Sequence, residues 1–197
     1  MARLNRAHVR IRAGGGRTSK RAPVHAESEA LSASTTLESV PASLDTLYHR
    51  PGFLLRRAHQ IAVSLFVEQP GADGTTTTQY GVLVILRACE GLDQISLSKK
   101  VGLDRSTTAL VVKKLEDDGY VVRLADPKDR RRKVIVLTAR GERKLQSLRE
   151  VAARSQEVAL SIFTAQEAAQ FLALLAKFVM HFNKITRAPI VPDDSEI

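Results

Sequence analysis

The feature that most constrains the fold is a pair of short helical segments separated by a glycine turn. Asp93 can cap a helix over residues 94–101, and Asp104 can cap a second helix over residues 105–118. Gly102 breaks the chain between the two segments. Two short helices joined by so brief a turn are typical of a helix-turn-helix.

A β-hairpin is predicted directly after the second helix ends at Gly119. Residues 120–124 and 134–137 are rich in β-branched residues and form the two predicted strands. Residues 126–133 form a charged loop that contains a proline. A hairpin in this place is a wing. The predicted fold is therefore mainly α with a small β-wing (α+β), with a winged helix-turn-helix core over residues 76–138.

One long helix is predicted before this core. It runs from Pro51 to about Gln69 and ends at the turn-forming residues 70–74. Thr76 and Gln79 then fit a capping box, which opens a helix to about Cys89.

Two further helices are predicted after the hairpin, over residues 139–162 and from Thr164 to about 186. The last helix carries more apolar surface than a chain of this size can cover. We therefore predict a homodimer formed by dimerisation helices 51–69 and 139–187, within a domain that spans residues 48–188. A bundle formed entirely within one chain is the alternative.

The two ends of the chain differ from this domain. Residues 1–47 begin with seven Lys or Arg side chains and no acid up to Arg21, and continue with Ser, Thr, Ala and Glu. Such a segment buries too little apolar surface to offset its ordering entropy, so a disordered tail is predicted. A basic arm that touches DNA phosphates and an upstream mis-start are both open. Residues 189–197 form a predicted, frayed C-terminal tail.

The charge of the chain favours an anionic partner. The net charge is +9 and the pI is near 10.0, which fits nucleic acid or an acidic membrane surface. No apolar run approaches the roughly 18 residues of a membrane span, and no secretory signal is present at Met1. We therefore expect double-stranded DNA rather than a membrane as partner, and the cytoplasm as the location.

The residues predicted to meet DNA lie in the second helix and in the wing loop. Thr108, Val111, Val112 and Leu115 form the inward stripe of the helix. The outward residues can contact bases or phosphates, and a wing arginine can enter the minor groove. The predicted DNA-binding residues are Arg105, Ser106, Thr107, Ala109, Leu110, Lys113, Lys114, Asp129, Arg130, Arg131 and Arg132.

These segments together resemble the MarR family of winged helix-turn-helix regulators, over about residues 51–186. The motifs that carry the resemblance are Thr76-x-x-Gln79-Tyr80, Val101-Gly102-Leu103-Asp104-Arg105-Ser106-Thr107, Leu115-Glu116-x-x-Gly119, Asp126-Pro127-x-Asp129-Arg130-Arg131 and Leu137-Thr138-x-x-Gly141.

The resemblance implies a role for several of these residues. It implies that Asp129 positions Arg131, that Arg131 enters the minor groove, and that helix 105–118 lies in the major groove. It also implies an obligate dimer. Leu110 departs from the pattern, because many family members carry a polar or basic residue there.

The resemblance further implies a small phenolic or aromatic-acid effector. Arg56, Arg57 and His59 on the first helix are the candidate effector-binding residues, since an arginine fork can bind both oxygens of a carboxylate. Exposed helix charges are the alternative reading of these three. The sequence thus predicts a repressor that a ligand releases from a palindromic operator.

The sequence gives less support to other classes of function. The chain has no Gly-rich phosphate loop, His-Glu metal cluster or nucleophile elbow, so we expect no enzyme, catalytic residue, cofactor or metal site. A non-catalytic architectural DNA-binding protein without an effector is one alternative. A redox-sensing regulator based on Cys89, the single cysteine, is another.

Overall fold

The computed structural model describes residues 43–191 of the chain. Within that range the chain forms seven helices, two strands and a final 3₁₀ turn. In order they are α1 (Leu44–Tyr48), α2 (Pro51–Val67), α3 (Thr77–Ala88), α4 (Gln94–Val101), α5 (Arg105–Asp117), β1 (Val121–Ala125), β2 (Lys133–Leu137), α6 (Ala139–Leu160), α7 (Ala165–Phe182) and the 3₁₀ turn Asn183–Ile185. The predicted mainly α fold with a two-stranded wing is confirmed.

Only the last residues of the predicted N-terminal tail are described by the structure. Residues 1–42 lie outside the described range. Residues 44–48 form the short helix α1, and the first four of these residues belonged to the predicted tail 1–47. The compact unit that carries all later elements begins at Leu47.

Side-chain caps fix the starts of five helices where the sequence predicted them. The Thr76 hydroxyl accepts the Gln79 N–H at 3.2 Å, while the Gln79 side chain accepts the Thr76 N–H at 2.9 Å. This is the complete capping box, which satisfies two backbone donors at once. The other four caps are Asp93, Asp104, Thr138 and Thr164.

The core lies where α3, α4, α5 and α6 meet. Leu83, Leu97 and Leu148 contribute fully buried side chains from three of these helices. α4 and α5 are joined at Gly102, whose φ of 72° is readily adopted only by glycine. The result is a helix-turn-helix with one face of α5 left uncovered.

The hairpin is antiparallel, with Val121 opposite Leu137 and Ala125 opposite Lys133. The middle of β2 is fixed to the turn between α3 and α4, because the Ile135 N–H donates to the Leu92 carbonyl at 2.8 Å. The wing therefore begins in a fixed place beside the helix-turn-helix.

The loop between α2 and α3 is held by two cations of α6. The half-buried Lys144 donates from its ammonium to the carbonyls of Gly71 and Ala72, both at 3.2 Å, and to the Asp73 carboxylate at 2.9 Å. Arg154 donates to the Pro70 carbonyl at 3.0 Å. Four consecutive residues of this loop are thus bonded to α6.

The last helix has almost no cover. None of the residues of α7 is buried in the chain, although the helix is rich in Phe, Leu and Val. Its exposed large apolar side chains are Phe171, Leu172, Leu174, Phe178, Val179, Met180 and Phe182.

Within residues 43–191, no single helix is long and apolar enough to cross a bilayer. α6 and the last helical segment reach that length and composition only as a pair, which is bent by 108°.

Residues 183–191 fold back onto the helix-turn-helix. The Asn183 side chain bonds both backbone groups of Ile190, at 2.7 and 2.8 Å, and the Val191 N–H donates to the Lys99 carbonyl at 3.1 Å. Residues 189–191 belonged to the predicted frayed tail, so this contact is a correction to that expectation. Residues 192–197 lie outside the described range.

Candidate nucleic-acid interface

Helix α5 divides into a buried and an exposed face as predicted. Thr108, Val112 and Leu115 are buried and Val111 is half-buried. Of the predicted DNA-binding residues on this helix, five are exposed and two are half-buried. The exposed ones are Arg105, Ser106, Leu110, Lys113 and Lys114; the half-buried ones are Thr107 and Ala109.

The first turn of α5 is organised by the Asp104 carboxylate. It accepts the Ser106 hydroxyl at 2.5 Å, the Thr107 N–H at 2.8 Å and the Thr107 hydroxyl at 2.7 Å. These bonds, the Ser106 hydroxyl first, hold the pKa of Asp104 well below its usual range. Because the Ser106 and Thr107 hydroxyls both donate their hydrogen bonds to Asp104, each can only accept a hydrogen bond from a ligand.

Leu110 is the most exposed apolar residue of α5, with 70% of its surface accessible. A side chain of this kind cannot bond a base edge or a phosphate. It can contact a thymine methyl group, which projects into the major groove.

Lys113 and Lys114 each form an ion pair one helical turn away. The Lys113 ammonium lies 2.8 Å from the Asp117 carboxylate, and that of Lys114 lies 2.8 Å from Asp118. The hydrogen bond with Asp118 raises the pKa of Lys114. Because exposed pairs contribute little to stability, a phosphate can replace either carboxylate at small cost.

The wing loop presents two arginines on an ordered turn. The Asp129 carboxylate accepts the backbone N–H of Arg131 at 3.0 Å, so it positions Arg131 through the main chain. The side chains of Arg130 and Arg131 are exposed and make no hydrogen bond or ion pair with residues 43–191. Both guanidinium groups are therefore available to an external anion.

Arg132 lies in a different environment from its two neighbours. Its guanidinium donates to Asp93 at 2.9 Å, to Asp126 at 3.2 Å and to the Gly91 carbonyl at 3.1 Å. Sequence reasoning placed it among the DNA contacts, and that role stays a prediction. These partners lie up to 41 positions away, so no local pattern could have shown them.

The three candidate effector residues lie on one exposed stretch of α2. Arg56 and Arg57 both donate to the Gln60 side-chain oxygen, at 3.1 and 2.9 Å, and Arg56 lies 4.8 Å from the centre of the Phe53 ring. His59 is exposed beside them. The structure thus brings the two guanidinium groups together at one amide.

Two other predictions concern Cys89 and metals. Cys89 is half-buried against the core at the end of α3, and its redox role stays a prediction. No cluster of three or more metal-ligating side chains occurs among the described residues.

Comparison with known proteins shows the family to which this architecture belongs. Residues 75–133 match the MarR family. The repressor NicR of Pseudomonas putida is 30% identical over 152 residues, which cover 76% of this chain and 96% of NicR. The chain belongs to the MarR family. It is therefore a transcriptional regulator of a DNA-binding family and not an enzyme, as predicted.

Two solved structures are similar to this chain over most of its described length. The PcaV regulator of Streptomyces coelicolor, in complex with its natural ligand, is 38% identical with a TM-score of 0.63; the match covers 68% of this chain and 94% of PcaV. BpsR of Bordetella bronchiseptica, whose DNA binding is regulated by 6-hydroxynicotinic acid, is 25% identical with a TM-score of 0.62, over 66% of this chain and 94% of BpsR.

Proposed function

We propose that this MarR-family regulator is a cytoplasmic repressor that binds a palindromic operator as a homodimer and leaves it when a small aromatic carboxylate or phenol binds. The observation that carries the proposal is the pairing of an exposed α5 face with two uncommitted arginines on an ordered wing loop. A helix of this kind fits a major groove, and a cation on a hairpin tip fits the adjoining minor groove.

The apolar surface of α7 supports the dimer. Leu174 and Met180 each expose 58% of their surface, and Phe178 exposes 44%. An exposed apolar patch that runs along most of a helix is typical of an association surface. A two-fold dimer would set two α5 helices about one DNA turn apart, which matches two half-sites.

Selection of bound duplexes from a random pool tests DNA recognition. We expect an enriched site with two-fold symmetry, and Arg131→Ala should weaken binding to it by on the order of 1–3 kcal/mol at fixed salt. The reason is the loss of a cation from a narrow, negatively charged groove. An architectural binder would instead enrich no sequence, and unchanged affinity of the Arg131 variant would contradict the assigned contact.

The adjacent guanidinium groups of Arg56 and Arg57 support an acidic effector. The known ligand of BpsR is an aromatic acid. An arginine pair one turn from a histidine offers the planar donors that a carboxylate prefers.

The effector is tested with 6-hydroxynicotinic acid and a panel of benzoates, with cyclohexanecarboxylate as the non-aromatic comparison. At about 100 times its dissociation constant, a true ligand should stabilise the protein by about 2.7 kcal/mol and release the enriched duplex. Arg57→Ala should abolish both effects. Arg149→Ala is the matched control, because Arg149 is an exposed arginine bonded to a glutamine, Gln146, on α6. A panel that changes neither thermal unfolding nor DNA binding would remove the effector from the proposal.

A further inference from the structure

We propose that Arg132 is a positioning residue, which fixes the tip of the wing against the turn between α3 and α4 and so holds Arg131 at the DNA. This inference rests on the proposed function, because it assigns how one DNA contact is kept in place. It separates two adjacent arginines that look alike in the sequence.

All three sides of the Arg132 guanidinium are occupied within the chain. Nε lies 2.9 Å from the Asp93 carboxylate, Nη1 lies 3.2 Å from Asp126, and Nη2 lies 3.1 Å from the Gly91 carbonyl. A planar fork can bridge acceptors that lie in different directions, which a single ammonium nitrogen cannot do. Two carboxylates also balance its charge, so little remains to attract a phosphate.

Each carboxylate that Arg132 contacts has a second structural role. Asp93 caps α4 by accepting the Ser96 N–H at 2.7 Å. Asp126 is buried and accepts the Lys128 N–H at 2.8 Å inside the wing loop. Arg132 therefore connects the first turn of α4 to the first turn of the loop that presents Arg131.

The space beside the wing loop is open. Between the hairpin and the end of α3 lies an open cleft of about 610 Å³, lined by Arg87, Glu90, Pro127 and Lys128 among others. No packed side chains fill that space. The middle of β2 is held by the bond from Ile135 to Leu92, and Arg123 pairs with Glu116 of α5 at 3.3 Å, but beyond β2 it is Arg132 that bonds the loop to the turn between α3 and α4.

A double-mutant cycle on the enriched duplex distinguishes positioning from direct contact. Arg132→Ala should weaken binding about tenfold in the wild-type background and less than about twofold in the Arg131→Ala background, because the contact it positions is already gone. Arg132→Lys keeps the charge but should restore only part of the affinity. An equal loss in both backgrounds, or full rescue by lysine, would show that Arg132 contacts DNA independently and would overturn the proposal.

A second measurement uses the DNA-free protein. Arg132→Ala should speed amide hydrogen exchange in the wing loop by about tenfold or more, whereas Arg131→Ala should leave it unchanged. Unchanged exchange in the Arg132 variant would also overturn the proposal. This readout needs no operator. If the wild-type protein selects no duplex, the proposed function fails. The hydrogen-exchange measurement still shows whether Arg132 anchors the wing loop.

Discussion

Replacing Gly141 with alanine is expected to destabilise the folded protein by on the order of 3 kcal/mol. A Cβ atom at this position would lie within van der Waals overlap of the Tyr120 backbone, with 2.9 Å to the carbonyl carbon and a still shorter approach to the oxygen. The Leu137 side chain lies 3.3 Å away on another side. The start of α6 would have to move away from the end of α5.

That movement would disturb several hydrogen bonds between the segment after α5 and the start of α6. The Tyr120 carbonyl accepts the Thr138 N–H at 3.0 Å, and the Thr138 hydroxyl donates to the Gly119 carbonyl at 2.7 Å while it caps α6. Because Thr138 is both the end of the hairpin and the cap of α6, a shift of the helix strains both.

Urea unfolding followed by circular dichroism measures the effect of Gly141→Ala. Gly81→Ala is the matched control, since Gly81 also lies inside a helix but a Cβ there meets nothing within 4 Å. Alanine is the better helix former, so the control should stabilise the protein by about 0.5–1 kcal/mol. A Gly141 variant as stable as the control would show that the α6 contact is not as tight as the structure has it.

Replacing Leu174 with glutamate is expected to give a monomer that binds the enriched duplex roughly 10²- to 10⁴-fold more weakly. Leu174 lies on the apolar stripe of α7, three residues after Phe171 and four residues before Phe178. In a dimer, a carboxylate there would lose its hydration without gaining a partner. Each separate subunit would then bind only one half-site.

Sedimentation at micromolar concentration, followed by a DNA titration, measures both consequences. Gln166→Glu adds the same charge in the first turn of α7, two turns before Leu174 and outside its exposed apolar residues, and should leave a dimer with unchanged affinity. Circular dichroism of both variants separates loss of association from loss of folding. A Leu174 variant that stays dimeric would place the association surface elsewhere.

Local chemistry explains why the sequence predicted so much of the fold. Thr76 bonds a residue three positions away, and Asp104 caps the helix that it precedes, so each start signal is complete within one turn. The inward stripe of α5 follows from helical periodicity alone, and Thr108 and Val112 are indeed fully buried.

The residues that sequence reasoning could not resolve depend on distant partners. Arg130, Arg131 and Arg132 are identical in type, but only Arg132 meets Asp93, 39 positions away. The motif around Gly141 was noticed for its likeness to a family, whereas its steric reason is the backbone of Tyr120. The return of Ile190 to Asn183 likewise needs the end of α7 to be placed first.

The bonds of Lys144 decide how motion passes between the two ends of the molecule. A loop whose carbonyls are tied to a neighbouring helix cannot absorb a displacement by rearranging its own backbone. We therefore expect a shift of α2 to move α6 with it, and through the Thr138 cap to move the hairpin as well. If the proposed effector tilts α2, this connection predicts a change in the position of the wing without any contact between the effector and the wing.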